Sequence, residues 1–340
     1  MRRFVDAQLL GPAAALAIII AIASLTTDRF LDFGNLSNLS LQVCIIALVA
    51  IGSTMVIITA GIDLSSGSMV ALLTMLLAEF VKNFGLPLPL AILAVLFCGL
   101  MLGVFNGVLT AYLRIPSFIT TLAGLISFRG LALLFNNGSP SFSIHPMLEK
   151  LFYGSFIGIP LPFYYLILFY AAAAILMKDT RIGREIYAVG GNPSAASLSG
   201  INVKRIQTFA FAMAGLMTAV GAVLMSARLN SGSPNYGQAL ELQAIAAGVV
   251  GGASLAGGRG NILSTLIGSL TIVVVQNALN LNAVPTSVQN IVLGAIILIA
   301  VGIDMWRGEL SGKIGSLFTI SSRKNQSLNG QSRPTLSKNS

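Results

Sequence analysis

The sequence predicts an all-α, polytopic membrane protein of about ten transmembrane helices with discontinuous segments. Of its 340 residues, 55% are hydrophobic and only 9% are charged, whereas about a quarter of the residues in a soluble domain are charged. The apolar residues fall into blocks of about 20, the length that crosses a bilayer. Because these blocks leave no room for a separate soluble domain, we expect one transmembrane domain over 1–310. The tail over 311–340, rich in Ser, Asn and Lys, is predicted to be cytoplasmic and disordered.

Hydropathy windows of about 20 residues define the individual helices. They place spans near residues 8–26, 41–60, 68–84, 88–112, 117–135, 162–178, 206–227, 243–258, 262–281 and 286–304. The first span follows a basic start, as a signal peptide does. Its apolar run from Gln8 to Leu25 is long for a signal peptide and no convincing cleavage site follows, so we interpret it as a membrane helix.

The net charge of +9 follows from membrane topology and needs no nucleic-acid partner. Four basic residues fall on one side of the predicted membrane and Arg129 lies within a helix, while all the others fall on the opposite side. The four are Arg29, Lys82, Lys150 and Arg228. Since basic residues concentrate in cytoplasmic loops, both termini are predicted to be cytoplasmic.

Three polar or glycine-rich breaks interrupt the apolar blocks, at 61–68 (GIDLSSGS), 114–118 (RIPSF) and 251–261 (GGASLAGGRGN). Irregular backbone at membrane depth is tolerated where it lines a cavity or is covered by protein, and such breaks mark the pathway in transporters. Gly61, Gly67, Gly252 and Gly258 are therefore candidate pathway positions. The spacing Gly-x-x-Leu-x-x-Gly occurs in the first and third breaks, which suggests an internal repeat.

The longest polar interruption between two spans is the loop 178–205. It carries five basic residues: Lys178, Arg181, Arg184, Lys204 and Arg205. Gly183, Gly190 and Gly191 are suited to turns, and Asn192-Pro193 predicts a turn that leads into a short helix over 194–198. Such a loop is either merely solvated or a docking element for a cytoplasmic partner. The segment 136–160, on the other side, is either an interfacial cap or part of a docking surface for an external partner.

No catalytic or metal site is predicted. His145 is the single histidine of the sequence, so neither a metal cluster nor a catalytic triad can be assembled around it. The glycine-rich stretch 257–261 lacks the G-K-[S/T] ending of a phosphate-binding loop. If ATP drives this protein, another chain must hydrolyse it.

Six polar residues within or beside the spans are candidates for a substrate pathway: Asp63, Asn106, Arg129, Gln276, Asn277 and Asn280. Each has a structural alternative. Asp63 is suited to cap the following helix, Arg129 to pair with an acid such as Asp63 or to extend toward a membrane surface, and the amides to link helices. Glycines 99, 103 and 107 indicate close helix packing.

Five motifs in order give the chain a family resemblance: 61–68 (GIDLSSGS), 137–140 (NGSP), 180–203 (TRIGREIYAVGGNPSAASLSGINV), 227–234 (ARLNSGSP) and 241–260 (ELQAIAAGVVGGASLAGGRG). Over about residues 10–305 the chain resembles the permease subunit of bacterial ABC monosaccharide importers, and the ribose-type permeases in particular. Two positions depart from the usual motifs: Ser66 stands where the family usually has Val, and Gln243 where ribose-type permeases often have Asp.

The resemblance implies a pore-forming subunit in the bacterial inner membrane that itself performs no catalysis and holds no cofactor. Its expected partners are an ABC ATPase subunit that uses the ATP, a periplasmic sugar-binding protein, a second copy or a related permease, and membrane lipid. It also implies an ATPase-coupling helix within 183–200, with Gly183, Arg184, Glu185, Gly190, Gly191, Asn192 and Pro193 as coupling residues. Two alternatives stay open: the same fold carrying branched-chain amino acids, and an ATP-independent secondary transporter.

Overall fold

The chain folds as a bundle of helices, described for residues 2–302 and 305 in a computed structural model. The helices are α1 (Arg2–Thr26), α2 (Phe33–Ile58), α3 (Ser66–Lys82), α4 (Leu88–Ala111), α5 (Ser117–Leu134), α6 (Leu148–Tyr153), α7 (Leu161–Asp179), α8 (Arg181–Gly191), α9 (Pro193–Leu198), α10 (Val203–Leu229), α11 (Leu240–Val250), α12 (Ile262–Leu281) and α13 (Thr286–Gly302). Two-residue strands β1 (Ser141–Phe142) and β4 (Ser231–Gly232) pair antiparallel, as do β2 (Ser155–Phe156) and β3 (Ile159–Pro160). The all-α prediction is confirmed, whereas the predicted disordered tail, 311–340, lies outside the described residues.

Seven helices of the described chain are long and apolar enough to cross a membrane: α1, α2, α4, α5, α7, α10 and α12. The predicted spans at 68–84 and 286–304 correspond to α3, with 17 residues, and to α13. The predicted continuous span at 243–258 is wrong, because α11 ends at Val250 after 11 residues. That is about 16 Å of helix, which cannot cross a bilayer alone.

The missing part of that span is supplied by irregular backbone that precedes α11. Residues 230–239 leave the end of α10 and run beside α3. Gly232 packs against the Thr74 carbonyl and Gly237 against the Gly67 carbonyl. These two contacts are seven helical residues apart on α3, or about 10 Å along its axis. The discontinuous segment therefore consists of the irregular stretch 230–239 followed by the short helix α11.

Helix α2 is the centre of the bundle. Every residue from Val43 to Ile58 is buried, as expected for a helix that is apolar all round. Helices α7, α8, α10, α11 and α12 pack around it. Its end therefore positions the first polar break inside the protein.

The closest helix packing is between α4 and α10. A Cβ at Gly103 would overlap the Phe211 carbonyl, and one at Gly215 would overlap the Gly99 carbonyl. Gly107 approaches Thr208 in the same way. The prediction that the α4 glycines allow close packing is confirmed.

Replacing Gly215 by alanine is expected to destabilise the protein measurably. The added methyl group meets backbone atoms of α4, which cannot rotate away, and overpacking of this kind costs about 1–3 kcal/mol. Thermal unfolding of the purified protein in detergent measures the effect. Gly130→Ala on α5 is the matched control, because no described atom lies within 4 Å of its Cβ position; equal unfolding temperatures for the two variants would contradict the packing argument.

The outer segment 136–160 packs as a cap on the end of the bundle. Ile144, Leu148 and Phe152 are buried in the main core, and β1 joins the cap to β4 after α10. This packing agrees with the interfacial-cap interpretation. Its role in docking an external partner stays a prediction.

Candidate functional site

The first break begins where α2 ends. Ala60 has a left-handed backbone, with φ of 62°, and the Gly61 amide donates to the Val56 carbonyl at 3.0 Å. The chain then runs without helical structure until α3 begins at Ser66. Gly61, Asp63 and Ser65 are buried and Ile62 and Leu64 are partly buried, so protein covers most of this backbone, as irregular backbone at membrane depth requires.

Asp63 lies in this break, two residues before Ser65, the N-cap residue of α3. Its side chain is only 2% exposed, and its Oδ1 accepts hydrogen bonds from the Ser65 amide at 2.8 Å and the Ser65 hydroxyl at 2.6 Å. A carboxylate at the start of a helix also complements the positive end of the helix dipole. Asp63 therefore orders the turn that leads into α3, although no side chain caps the first amides of that helix.

Helices α4 and α5 hold the break in place. Asn106 of α4 is fully buried, and its Nδ2 donates to the Ser65 hydroxyl at 2.9 Å. From α5, the Ser117 hydroxyl accepts from the Ile62 amide at 3.1 Å, and the Thr121 hydroxyl donates to the Ile62 carbonyl at 3.1 Å. Asn106 is thus linked to Asp63 through the Ser65 hydroxyl, and this connection stabilises the backbone of the break.

Arg129 stabilises the irregular stretch 230–239 that precedes α11. Its guanidinium donates to the carbonyls of Pro234 and Tyr236. Its hydrogen bonds go to these backbone carbonyls, and the described residues contain no ion pair between Arg129 and Asp63. A cation here satisfies carbonyl oxygens that no helix or sheet supplies with a donor.

Glu241 is a half-buried residue of this site that is not among the predicted candidates. It stands in the first turn of α11, and a Cβ on Gly67 would overlap its carboxylate. Two acids, Asp63 and Glu241, therefore lie at the start of α3. The signal in the sequence that predicts such a residue is an acid in the first turn of an apolar helix.

The amides of α12 form a separate group. Asn277 and Asn35 exchange two side-chain hydrogen bonds, of 2.9 and 2.7 Å, and Asn280 accepts from Gln289 at 2.8 Å. Gln276 is half-buried on the same helix. Since Asn35 opens α2 and Asp63 follows its end, these groups are separated by about 35 Å of helix. The structure does not bring the six candidate residues into one site.

The second glycine-rich break, 251–261, has a different backbone from the first. Gly252 and Gly258 have φ of 91° and 71°, which glycine adopts without strain. The Asn261 side chain then caps α12 by accepting from the Leu263 amide at 2.9 Å. The two breaks meet in one apolar cluster, in which Leu64 of the first lies with Leu255 of the second.

The loop 178–205 folds into two short helices, α8 and α9. Thr180 caps α8 by accepting from the Gly183 amide at 3.2 Å, and Asn192 caps α9 by accepting from the Ala195 amide at 3.0 Å. Pro193 is the first residue of α9. The predicted turn at Asn192-Pro193 and the short helix after it are confirmed.

The prediction that Gly183, Gly190 and Gly191 form turns is wrong. All three lie within α8. A Cβ at Gly183 would overlap carbonyls at the end of α7, and one at Gly190 would overlap the Ile58 carbonyl. Close approach of two backbones, rather than a turn, therefore requires glycine at positions 183 and 190.

Gly190 belongs to a contact that joins three segments, which we call the glycine junction: Ile58 at the end of α2, Tyr187 and Gly190 of α8, and residues 257–260 of the second break. The Gly258 amide donates to the Ile58 carbonyl at 2.8 Å. The Tyr187 hydroxyl donates to the Gly260 carbonyl at 2.9 Å. Burial raises the pKa of Tyr187, so its phenol stays protonated and keeps this bond. Helix α8 is thus in contact with both the end of α2, where the first break begins, and the second break.

The outer surface of α8 and α9 faces solvent. Arg184 is exposed, and Glu185 accepts from Arg181 at 2.7 Å. On α9 Leu198 is 91% exposed, and in the rest of that helix only Ala196 is buried. Leu198 is therefore the large apolar side chain that α9 presents outside the protein.

Basic residues lie at both ends of the bundle. At the end formed by α8 and α9, the Lys204 ammonium lies 5.3 Å from the ring centre of Tyr112, and Gly258, beside Arg259, contacts Gly191. At the other end, Lys82 donates to the Phe142 carbonyl at 2.9 Å.

Comparison with known proteins adds three findings. Residues 35–301 match the family model described as "Branched-chain amino acid transport system / permease component". The ribose import permease protein RbsC of Haemophilus influenzae is 41% identical over 86% of this chain and 92% of its own length, and that of Bacillus subtilis is 41% identical over 87% and 92%. The xylose transport system permease protein XylH of Haemophilus influenzae is 37% identical over 85% of this chain and 94% of its own length. No solved structure gave a significant match.

Proposed function

The chain belongs to the family of branched-chain amino acid transport system permease components, and from this premise we propose that it is the pore-forming permease subunit of an ATP-binding-cassette importer for a monosaccharide. The cargo we propose is a ribose-like pentose or a related sugar. The observation that carries this proposal is that relatives 37–41% identical over most of the chain are ribose and xylose permeases. Those relatives are transport proteins, which agrees with a chain that performs no catalysis of its own.

The polar groups around the breaks favour a neutral cargo over a branched-chain amino acid. A carboxylate substrate needs a fixed positive charge or an open helix N-terminus. Here Asp63 and Glu241 lie at the N-terminus of α3, and Arg129 is engaged by two backbone carbonyls. Two acids at this position repel an anionic group.

The glycine junction supports an ATP-driven mechanism. We propose that α9, with Leu198, docks into a cleft of the ATPase subunit in the cytoplasm. ATP binding then displaces α8, and the junction at Ile58 and Gly190 passes this movement to the two breaks. Opening the bundle alternately to each side would carry the sugar across, as in other two-state transporters.

The remaining partners follow from this orientation. The end formed by α8 and α9 faces the cytoplasm, as do the termini, and the cap over 136–160 faces a periplasmic sugar-binding protein. A second copy of the chain, or a related permease, completes the pore in the bacterial inner membrane. The pathway assignment of Asp63, Asn106, Arg129, Gln276, Asn277 and Asn280 stays a proposal, with the α12 amides remote from the other three.

Labelled ribose uptake into proteoliposomes tests the proposed function. The vesicles contain this chain and its ATPase subunit, with ATP inside and with or without the cognate binding protein outside. Uptake that requires both ATP and binding protein supports the importer. Uptake without ATP would overturn it in favour of a secondary transporter. ATP hydrolysis stimulated by the binding protein without ribose uptake would mean that another sugar is carried.

Leu198→Glu is expected to uncouple the permease from its ATPase subunit. The side chain is 91% exposed, so its replacement leaves the fold intact, while a charge in an apolar interface pocket costs about 2–4 kcal/mol of binding. Co-purification of the ATPase subunit and uptake measure the loss. Leu198→Met is the control that keeps an apolar side chain; equal losses in both variants, or in neither, would contradict the docking role of α9.

A further inference from the structure

The strands β2 and β3 form a small hairpin at the outer end of α7, with an unusually apolar surface. We propose that this hairpin, with Phe156, Ile157 and Ile159, is a membrane anchor that inserts into the lipid headgroup–acyl boundary on the side opposite α8. We call it the apolar hairpin. The inference depends on the chain spanning a membrane and is independent of the cargo.

The first observation is the exposure of the hairpin tip. Ile157 is 81% exposed, and Phe156 and Ile159 are exposed on either side of it. Ile157 has φ of 51° and Gly158 φ of 74°, the left-handed pair of a tight hairpin turn. Glycine or asparagine fits the first of these positions without strain, whereas a β-branched residue there is a genuine outlier. The chain thus holds a large apolar side chain outward in spite of the strain.

The second observation is the attachment of the hairpin to α7. Tyr164, three residues into α7, donates its hydroxyl to the Phe156 carbonyl at 2.8 Å, and the two rings pack edge to face at 5.9 Å. The hairpin is therefore held against a side chain from the first turn of α7.

The third observation is continuity with the lipid-facing side of α7. Tyr164 shares one helix face with Ile167 and Leu168, three and four residues on, and both isoleucine and leucine are exposed. The same face continues to the exposed Ile175, about two turns further along the helix. The apolar surface of the hairpin thus extends the apolar surface by which α7 meets lipid.

The fourth observation is the absence of charged residues in and around the hairpin. From residue 151 to residue 177 the sequence contains no Asp, Glu, Lys, Arg or His. The first 17 residues of α7, or about 25 Å of helix, belong to this run, so the uncharged run extends beyond the helix to include the hairpin. Phe and Tyr rings cluster in this extension, as they do at membrane–water interfaces. The hairpin also satisfies its own backbone, because β2 pairs with β3 and the Leu161 amide donates to the Gly154 carbonyl at 2.9 Å.

Tryptophan fluorescence in proteoliposomes tests the anchor. The single native tryptophan, Trp306, is replaced by Phe, and Ile157→Trp is introduced. Phe142→Trp is the matched control, because Phe142 is similarly exposed at 64% while its carbonyl accepts from the charged Lys82. The vesicles are made of phosphatidylcholine and phosphatidylglycerol, with either unlabelled lipid or lipid brominated near the headgroup end of its chains.

We expect iodide to quench the Ile157→Trp variant at least about three-fold less than the Phe142→Trp variant, and brominated lipid to quench the Ile157→Trp variant more, as for a side chain at interfacial depth. Ile159→Trp in the same patch serves as the second variant, and uptake verifies that each variant is folded. Iodide quenching at 157 equal to that at 142 would overturn the proposal. Shielding from both quenchers would also overturn it and indicate a second protein copy on the hairpin, and shielding that appears only with the binding protein would indicate an external docking loop.

Discussion

Gly190→Ala is expected to reduce ATP-driven uptake to below about a tenth of the normal rate, since opening a packed backbone contact costs about 1–3 kcal/mol. Its Cβ would overlap the Ile58 carbonyl and press on the Gly258 amide. These two groups form a hydrogen bond of 2.8 Å, so the methyl group separates α8 from both segments at once. Initial rates of sugar uptake in proteoliposomes measure the effect.

The neighbouring glycine supplies the control. No described atom lies within 4 Å of a Cβ on Gly191, although it belongs to the same helix. Gly191→Ala is therefore expected to transport normally. Tyr187→Phe is the milder test of the same junction, because it removes a single hydrogen bond to Gly260, worth about 0.5–1.5 kcal/mol. Reduced uptake with undiminished ATP hydrolysis is the expected result; normal uptake by both Gly190→Ala and Tyr187→Phe would show that the junction does not transmit movement.

Most helices could be predicted from the sequence because an apolar run of 20 residues has few alternatives in a bilayer. The start of α2 could not. The structure begins this helix at Phe33, eight residues before the predicted span. Asn35 makes the first turns appear polar, but its amide is satisfied by Asn277 from α12. A partner 242 residues away cannot be inferred from local composition.

The discontinuous segment before α11 was missed for a related reason. A hydropathy window scores the glycines and alanines of 243–258 as apolar without asking whether they are helical. The backbone of 230–239 is stabilised by Arg129 from α5, and the start of α11 is placed by Glu241 against Gly67. Both are tertiary contacts between segments more than a hundred residues apart in sequence.

The coupling loop shows which features local chemistry does determine. Asn192-Pro193 predicts the cap and first residue of α9 because both effects act within one helical turn. The same local reasoning assigns Gly190 to a turn, since glycine is common there. Its actual role, close contact with Ile58, depends on how α2 and α8 meet.

Asp63→Ala is expected to inactivate the permease, and Asp63→Asn to preserve it. In the alanine variant the Ser65 amide and hydroxyl both lose their acceptor in a buried site, at a cost of about 1–3 kcal/mol for each unsatisfied group. The break then loses the order that Asn106 and α3 depend on. Asparagine keeps an oxygen at the Oδ1 position, so the two hydrogen bonds from Ser65 persist without the charge. Uptake and thermal unfolding, measured on both variants, give the comparison.

The pair of variants separates a structural acid from a functional one. If Asp63 serves only as the acceptor for Ser65, asparagine retains uptake within about two-fold, because its side-chain oxygen accepts the same two hydrogen bonds. If the negative charge itself binds an ion or moves a proton, asparagine abolishes uptake while the protein stays folded and unfolds at the normal temperature. An acid within a membrane protein is costly, and transporters retain such acids in ion and proton pathways. The second result would therefore revive the secondary-transporter alternative. The hydrogen bonds from Ser65 to Asp63 favour the first.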